Sequence, residues 1–201
     1  MEASLMSDVV PFRSPRARAH ESTALVGMII FVASWAMMFA ALFFAYGMVR
    51  SRAAAWPPDL LRLPLGLPAL NTAILAASSL ALELGLRAVQ GNRARVAGAL
   101  RIGAAALLGA AFLALQTVVW LSVWAGGLRA DSGPYASVFY GLTWVHAAQV
   151  AIGLVALAWI ALRAARGTYS PARHLTVRLW TIYWHFVGVV WALMFVAVFL
   201  V

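Results

Sequence analysis

Leu179–Val201 reads LWTIYWHFVGVVWALMFVAVFLV, with no acid and no arginine along its whole length. A membrane helix needs about 20 apolar residues to cross about 30 Å of hydrocarbon. This run is long enough, and its one strongly polar side chain is His185. Working back along the chain, four more runs meet the same test: about Ala24–Val49, Pro68–Leu86, Ile102–Ala125 and Tyr135–Leu162. The second is the least apolar, because it holds Asn71, Glu83 and several small residues. The reading is an all-α integral membrane protein, a bundle of five transmembrane helices.

The 201-residue composition agrees, with 64% hydrophobic and 10% charged residues and a mean hydropathy of +0.89. A soluble domain is nearer half apolar and a quarter charged. That excludes a soluble enzyme, a disordered chain and a nucleic-acid-binding domain. The net charge is +9, and every basic residue is arginine. No cysteine is present, so there is no disulfide or thiolate metal site. Residues 1–23 hold Arg13, Arg16, Arg18 and two prolines but no apolar core, and the run after them exceeds the roughly 7–15 residues of a signal sequence. The expected organisation is a cytoplasmic segment over 1–23 and a membrane domain over 24–201.

The arginines orient the bundle. With the N-terminus inside, eleven face inward: Arg13, Arg16, Arg18, Arg87, Arg93, Arg95, Arg101, Arg163, Arg166, Arg173 and Arg178. Four face outward: Arg50, Arg52, Arg62 and Arg129. The positive-inside rule then places the N-terminus in the cytoplasm and the C-terminus outside. Arg50–Leu67, with Trp56 and Pro57, Pro58 and Pro64, reads as an exposed loop, and Ala125–Gly133 carries glycine-rich turn chemistry.

Helices in lipid associate by packing and hydrogen bonding. Gly103 with Gly109 and Ala110, and Ala73, Ala76 and Ala77 with Ser78 and Ser79, are candidate close contacts. Ionisable residues in a span are functional candidates. Glu83 is the one acid within the spans, and Arg87 lies four residues on, on the same helical face. The pair either snorkels to the interface, or Glu83 meets a lipid headgroup or a neighbouring subunit. His146 shares a face with Gln149. Neither His146 nor His185 has a second histidine one turn away, so interhelical hydrogen bonding is expected of them ahead of haem or copper ligation. There is no HExxH motif. A transporter would want broken helices and midplane charge, and the spans show neither.

Tyr183–Trp191, YWHFVGVVW, resembles the last helix of subunit III of haem–copper oxidases of the cytochrome c oxidase type, where YWHFVDVVW is usual. Trp184, His185 and Trp191 match, and Gly188 replaces the aspartate. GMIIFVASWAMMFAALFFAY (Gly27–Tyr46) is similar to that family's third helix, and LPALNTAILAASSLAL (Leu67–Leu82), with Asn71, to its fourth. LGAAFLALQTVVW (Leu108–Trp120), with Gln116, is similar to its fifth. TWVHAAQVAIG (Thr143–Gly153) resembles TGFHGLHVIIG of its sixth, with His146 and Gln149 at the two histidine positions. The match begins at the third helix, as in the short five-helix form. It departs from the family where carboxylates usually stand. Trp35 replaces the glutamate of ASEVMFF, Val119 replaces the glutamate after the fifth-helix glutamine, and Gly188 replaces the aspartate.

The resemblance implies an accessory subunit III of a bacterial respiratory terminal oxidase in the inner membrane, with no catalytic site and no cofactor or metal of its own. The implied partners are the catalytic subunit I, which carries haem and copper, subunit II and small subunits, together with phospholipid and no nucleic acid. Glu83, Asn71, Gln116, His146, Gln149, Trp184, His185 and Trp191 are expected to make structural, lipid or subunit contacts. The loss of three carboxylates favours scaffolding over proton handling. Two other readings are association with a nitric oxide reductase or quinol oxidase, and a free-standing transporter.

Overall fold

The computed structural model describes residues 15–53, 56, 65–91 and 95–200. Five helices account for nearly all of them: α1 (Pro15–Ser51), α2 (Gly66–Gln90), α3 (Arg95–Ala125), α4 (Pro134–Ala165) and α5 (Leu175–Met194). The last turns, Phe195–Leu200, widen into a π-helix that continues α5. All five helices are long and apolar enough to cross a membrane.

Each helix outruns the apolar run that announces it. α1 begins at Pro15, ahead of the span expected from Ala24, and α3 begins at Arg95, ahead of Ile102. The physical reason is that hydropathy marks the hydrocarbon segment, whereas backbone hydrogen bonding carries a helix on into the headgroup layer. There arginine is tolerated because its charge reaches water. The expected cytoplasmic segment 1–23 therefore divides. Residues 1–14 lie outside the described residues, and Pro15–Thr23 belong to α1. The prolines, Asp59 and Arg62 of the Arg50–Leu67 loop, together with Arg93, also lie outside them.

α2, α3, α4 and α5 close a ring, each packing on the next and α5 returning to α2, while α1 lies outside it against α4 and α5. Gly133, at φ 135°, makes the turn into α4 in a backbone region open mainly to glycine, and Pro134 starts the helix with its φ already set. The centre is aromatic: Trp184, Trp191, Tyr140, Tyr183, Phe112 and Phe139 are fully buried. The outer surface is apolar as well, with Ile29, Met37 and Phe44 on α1, Leu107 on α3 and Val155 on α4 exposed. In lipid such a surface needs no cover.

Glycine placement meets the expectation in part: Gly109 makes a close approach, whereas Gly103 does not. A side chain at Gly103 would meet nothing, and Ala73, Ala76, Ala77 and Ala110 face outward. The close approaches fall at Gly109, Gly153 and Gly85. A Cβ would lie 2.8 Å from Trp184 at Gly109, 2.7 Å from Trp184 at Gly153, and 2.8 Å from Ile102 at Gly85. What selects a glycine here is the size of the side chain opposite it, which small-residue spacing along one helix does not reveal.

Candidate functional site: a hydrogen-bonded interior and an outer ionic cluster

Four indole N–H groups set the interior polar contacts. In lipid, a buried donor must find an acceptor within the protein. Trp184 on α5 donates to Ser78 Oγ on α2 at 3.0 Å, and Ser78 donates to the Ala105 carbonyl on α3 at 2.7 Å. One serine thus ties three helices. Trp191 on α5 donates to Thr72 Oγ1 on α2 at 2.9 Å, and the Thr72 hydroxyl donates to the Pro68 carbonyl a turn back. Trp120 on α3 donates to Thr143 Oγ1 on α4 at 3.1 Å. Trp56 donates to Tyr46 Oη at 3.0 Å, and Tyr46 donates to the Ala197 carbonyl in the π-helical turns. Thr143 donates in turn to the Phe139 carbonyl at 2.9 Å, so Ser78, Thr72, Thr143 and Tyr46 each both accept and donate.

Asn71 and Gln116 are both fully buried, and Asn71 Nδ2 donates to Gln116 Oε1 at 3.1 Å across α2 and α3. Gln149 is buried too, and its backbone carbonyl accepts from Tyr183 Oη at 2.9 Å. His146 differs from its expectation, because neither ring nitrogen has a hydrogen-bond partner. The rings of Phe39, Phe112 and Trp191 lie about it, at centroid distances of 6.2, 6.0 and 5.5 Å. The Trp191 N–H is already spent on Thr72. The imidazole packs among these rings, with the buried Gln149 side chain on the same helical face.

Glu83, Arg87 and His185 form a second group, on the outside of the bundle. Arg87 Nε donates to Glu83 Oε1 at 2.8 Å, and His185 Nε2 on α5 lies 3.6 Å from Glu83 Oε2. His146 and His185 are thus in separate places, one inside the ring and one on its outer face. No group of three or more metal-capable side chains occurs among the described residues.

The positions where the resembling family carries carboxylates are occupied without them. Trp35 stacks on Phe39 at 6.3 Å and meets Phe31 edge-on at 6.5 Å. Val119 is fully buried. Gly188 faces Ser79 Oγ, 3.4 Å from where its Cβ would stand.

Sequence reasoning missed two contacts and one buried phenol. Arg178 on α5 meets Glu21 on α1 at 3.3 Å, a pairing across 157 residues that no local pattern announces. Tyr140 Oη donates to the Leu128 carbonyl at 2.7 Å and holds the α3–α4 link against α4. In the α4–α5 link, burial pushes the Tyr169 phenol up, with the charge of Arg163 opposing.

Five long apolar helices with a hydrogen-bonded tryptophan interior define a multi-pass helical membrane protein. The family profile for cytochrome c oxidase subunit III matches residues 12–201. The chain is 31% identical over 202 residues to "Cytochrome c oxidase subunit 3" of Thermostichus vulcanus, covering 100% of this chain and 98% of the relative. It is 32% identical over 203 residues to the protein of that name from Synechocystis sp., covering 100% and 85%. It is 34% identical over 178 residues to "Probable cytochrome c oxidase subunit 3" of Nocardia farcinica, covering 88% and 87%. The chain belongs to the cytochrome c oxidase subunit III family.

Proposed function

We propose that this chain is the accessory third subunit of a bacterial respiratory oxidase that oxidises cytochrome c, reduces oxygen to water and pumps protons. It catalyses no step itself. Its work is to hold the haem- and copper-bearing catalytic subunit in shape within the inner membrane, alongside subunit II and small subunits. Full-length similarity to subunit 3 proteins carries this reading. The relatives named above are cytochrome c oxidase subunits, which favours that complex over a nitric oxide reductase, a quinol oxidase or a free-standing transporter.

A scaffolding role fits the interior. Trp184, Trp191, Trp120 and Asn71 make interhelical hydrogen bonds, and the three positions with Trp35, Val119 and Gly188 hold no titratable group. The N-terminus lies in the cytoplasm and the C-terminus outside, following the eleven-to-four arginine bias. Phospholipid packs against the apolar exterior. Arg163 lies over the Trp159 ring at 4.7 Å and Arg129 over the Trp124 ring at 5.1 Å, pairings suited to the headgroup layer.

Deleting the chain from the complex tests the reading. The expected result is near-normal initial oxygen consumption followed by faster loss of activity during turnover, with a less stable complex. An oxidase of unchanged lifetime and stability would overturn the scaffolding role.

A further inference from the structure

We propose that Asn71, Gln116 and His146 form a binding site for internal water inside the ring of α2, α3, α4 and α5, where the water joins α4 to the Asn71–Gln116 pair. The inference stands on the interior geometry and does not depend on which complex the chain serves.

The three side chains come from three helices and meet at one level. Trp120 on α3 meets Thr143 on α4 by a hydrogen bond at 3.1 Å. Further along the same antiparallel pair, a Cβ at Gly109 would lie 3.5 Å from Leu154. Between those two contacts the register brings Gln116 level with Ala147, next to His146. The Asn71–Gln116 hydrogen bond at 3.1 Å fixes α2 to that level. Trp191 of α5 closes the layer. Its N–H donates to Thr72, the neighbour of Asn71, at 2.9 Å, and its ring lies on His146 at 5.5 Å.

Polar capacity is left over in this layer. Asn71, Gln116 and His146 are fully buried. Asn71 Oδ1, Gln116 Nε2 and both ring nitrogens of His146 have no hydrogen-bond partner among the described residues. Such groups are costly inside a membrane protein, because lipid donates nothing to them. The nearby donors are already used: Trp191 on Thr72, Trp120 on Thr143, and Tyr183 on the Gln149 carbonyl. The amide orientations do not alter the count. Exchanging oxygen and nitrogen on both amides reverses the Asn71–Gln116 bond and still leaves one donor and one acceptor unpaired.

That combination identifies the ligand. Asn71 offers an acceptor, Gln116 a donor, and a neutral imidazole one of each. The ligand must accept and donate through one small atom, as water does. Internal water ordinarily makes about three hydrogen bonds to buried groups of this kind. A metal cation would face the Gln116 N–H, and no group of three or more metal-capable side chains occurs among the described residues. An anion would leave Asn71 Oδ1 unpaired. An acyl chain neither donates nor accepts, and a lipid headgroup does not reach side chains that are fully buried. Gln149 shares the His146 face, is fully buried, and has both side-chain amide atoms unpaired. It extends the polar layer by a turn of α4.

The test is a cryo-electron-microscopy map of the chain purified from its native membrane with whatever subunits accompany it, at a resolution that shows ordered water. The expected result is a peak at hydrogen-bond distance, about 2.7–3.2 Å, from at least two of Asn71, Gln116 and His146. Asn71→Leu with Gln116→Leu removes both amides together and should abolish the peak. His146→Phe, which keeps a ring in place, guards against a failure of the double variant to assemble, and should weaken the peak several-fold. If the amide and imidazole atoms bond one another directly, with no peak between them in a map that resolves other buried water, the inference falls. A peak of full height in the variants is held by other groups and overturns it too. The accompanying subunits are read from the same map independently of the peak, so the function proposed above stands or falls separately.

Discussion

Gly153→Ala is the sharpest probe of the interior. The Trp184 ring is caught between two glycines. Its Cζ3 and Cε3 edge would lie 2.7 and 2.8 Å from a Cβ at Gly153, and its Cζ2 and Cη2 edge 2.8 and 2.9 Å from one at Gly109. Ordinary carbon contacts are about 3.5–4.0 Å, so an added methyl asks the ring to move by about 1 Å. Moving away from Gly153 drives it towards Gly109, and its N–H is tied to Ser78 at 3.0 Å. Overpacking of this kind costs about 1–3 kcal/mol. Replacing glycine by alanine within a helix otherwise gains about 1 kcal/mol. Gly103 supplies the reference, because a Cβ there meets nothing. Gly103→Ala should therefore stabilise, and Gly153→Ala should fall below it by about 1–3 kcal/mol, roughly 5- to 150-fold in the folding equilibrium. Gly109→Ala should behave like Gly153→Ala. Reversible unfolding in bicelles, followed by tryptophan fluorescence or steric trapping, reads the difference. If Gly153→Ala and Gly103→Ala shift stability equally and in the same direction, the account of the packed indole is wrong.

Three further outcomes are expected. Ser78→Ala strips Trp184 of its acceptor, and in a double-mutant cycle with Trp184→Phe the coupling should be about 0.6–1.7 kcal/mol, the range for hydrogen bonds in lipid; a coupling near zero would mean Ser78 is not the link. Tyr46→Phe leaves the Trp56 N–H and the Ala197 carbonyl without their partner and should cost about 1–3 kcal/mol, most visibly as faster amide exchange over Phe195–Leu200; unchanged exchange there would separate Tyr46 from the π-helical turns. Single cysteines at Ser132 and at Thr168 should be labelled from opposite sides of the membrane by an impermeant thiol reagent, Ser132 from outside; the reverse pattern would invert the topology.

The five helices were legible because hydrocarbon thickness imposes a length and a composition that few other structures share. Helix ends were not, since arginine-bearing turns such as Arg95–Arg101 stay helical beyond the apolar run. Asn71 and Gln116 stood out as polar residues in spans, and they meet each other. Which partner each buried group takes is decided between helices distant in sequence, so His146 could be located but not assigned. The rings of Phe112 and Trp191 pack about it. The roles of Ser78 and Gly153 depend on Trp184, 106 residues beyond Ser78, and appear only once the helices are packed. Glu83–Arg87 followed from local spacing, whereas the approach of His185 needed the α2–α5 groove.

The central claim is membership in an oxidase. Purifying the affinity-tagged chain from its native membrane in mild detergent, then recording the absorption spectrum and identifying the accompanying chains by mass spectrometry, tests it most directly. The account predicts a haem signal and the large catalytic subunit in amounts close to that of the tagged chain. A haem-free preparation of this chain alone, or one accompanied by a nitric oxide reductase, would contradict it.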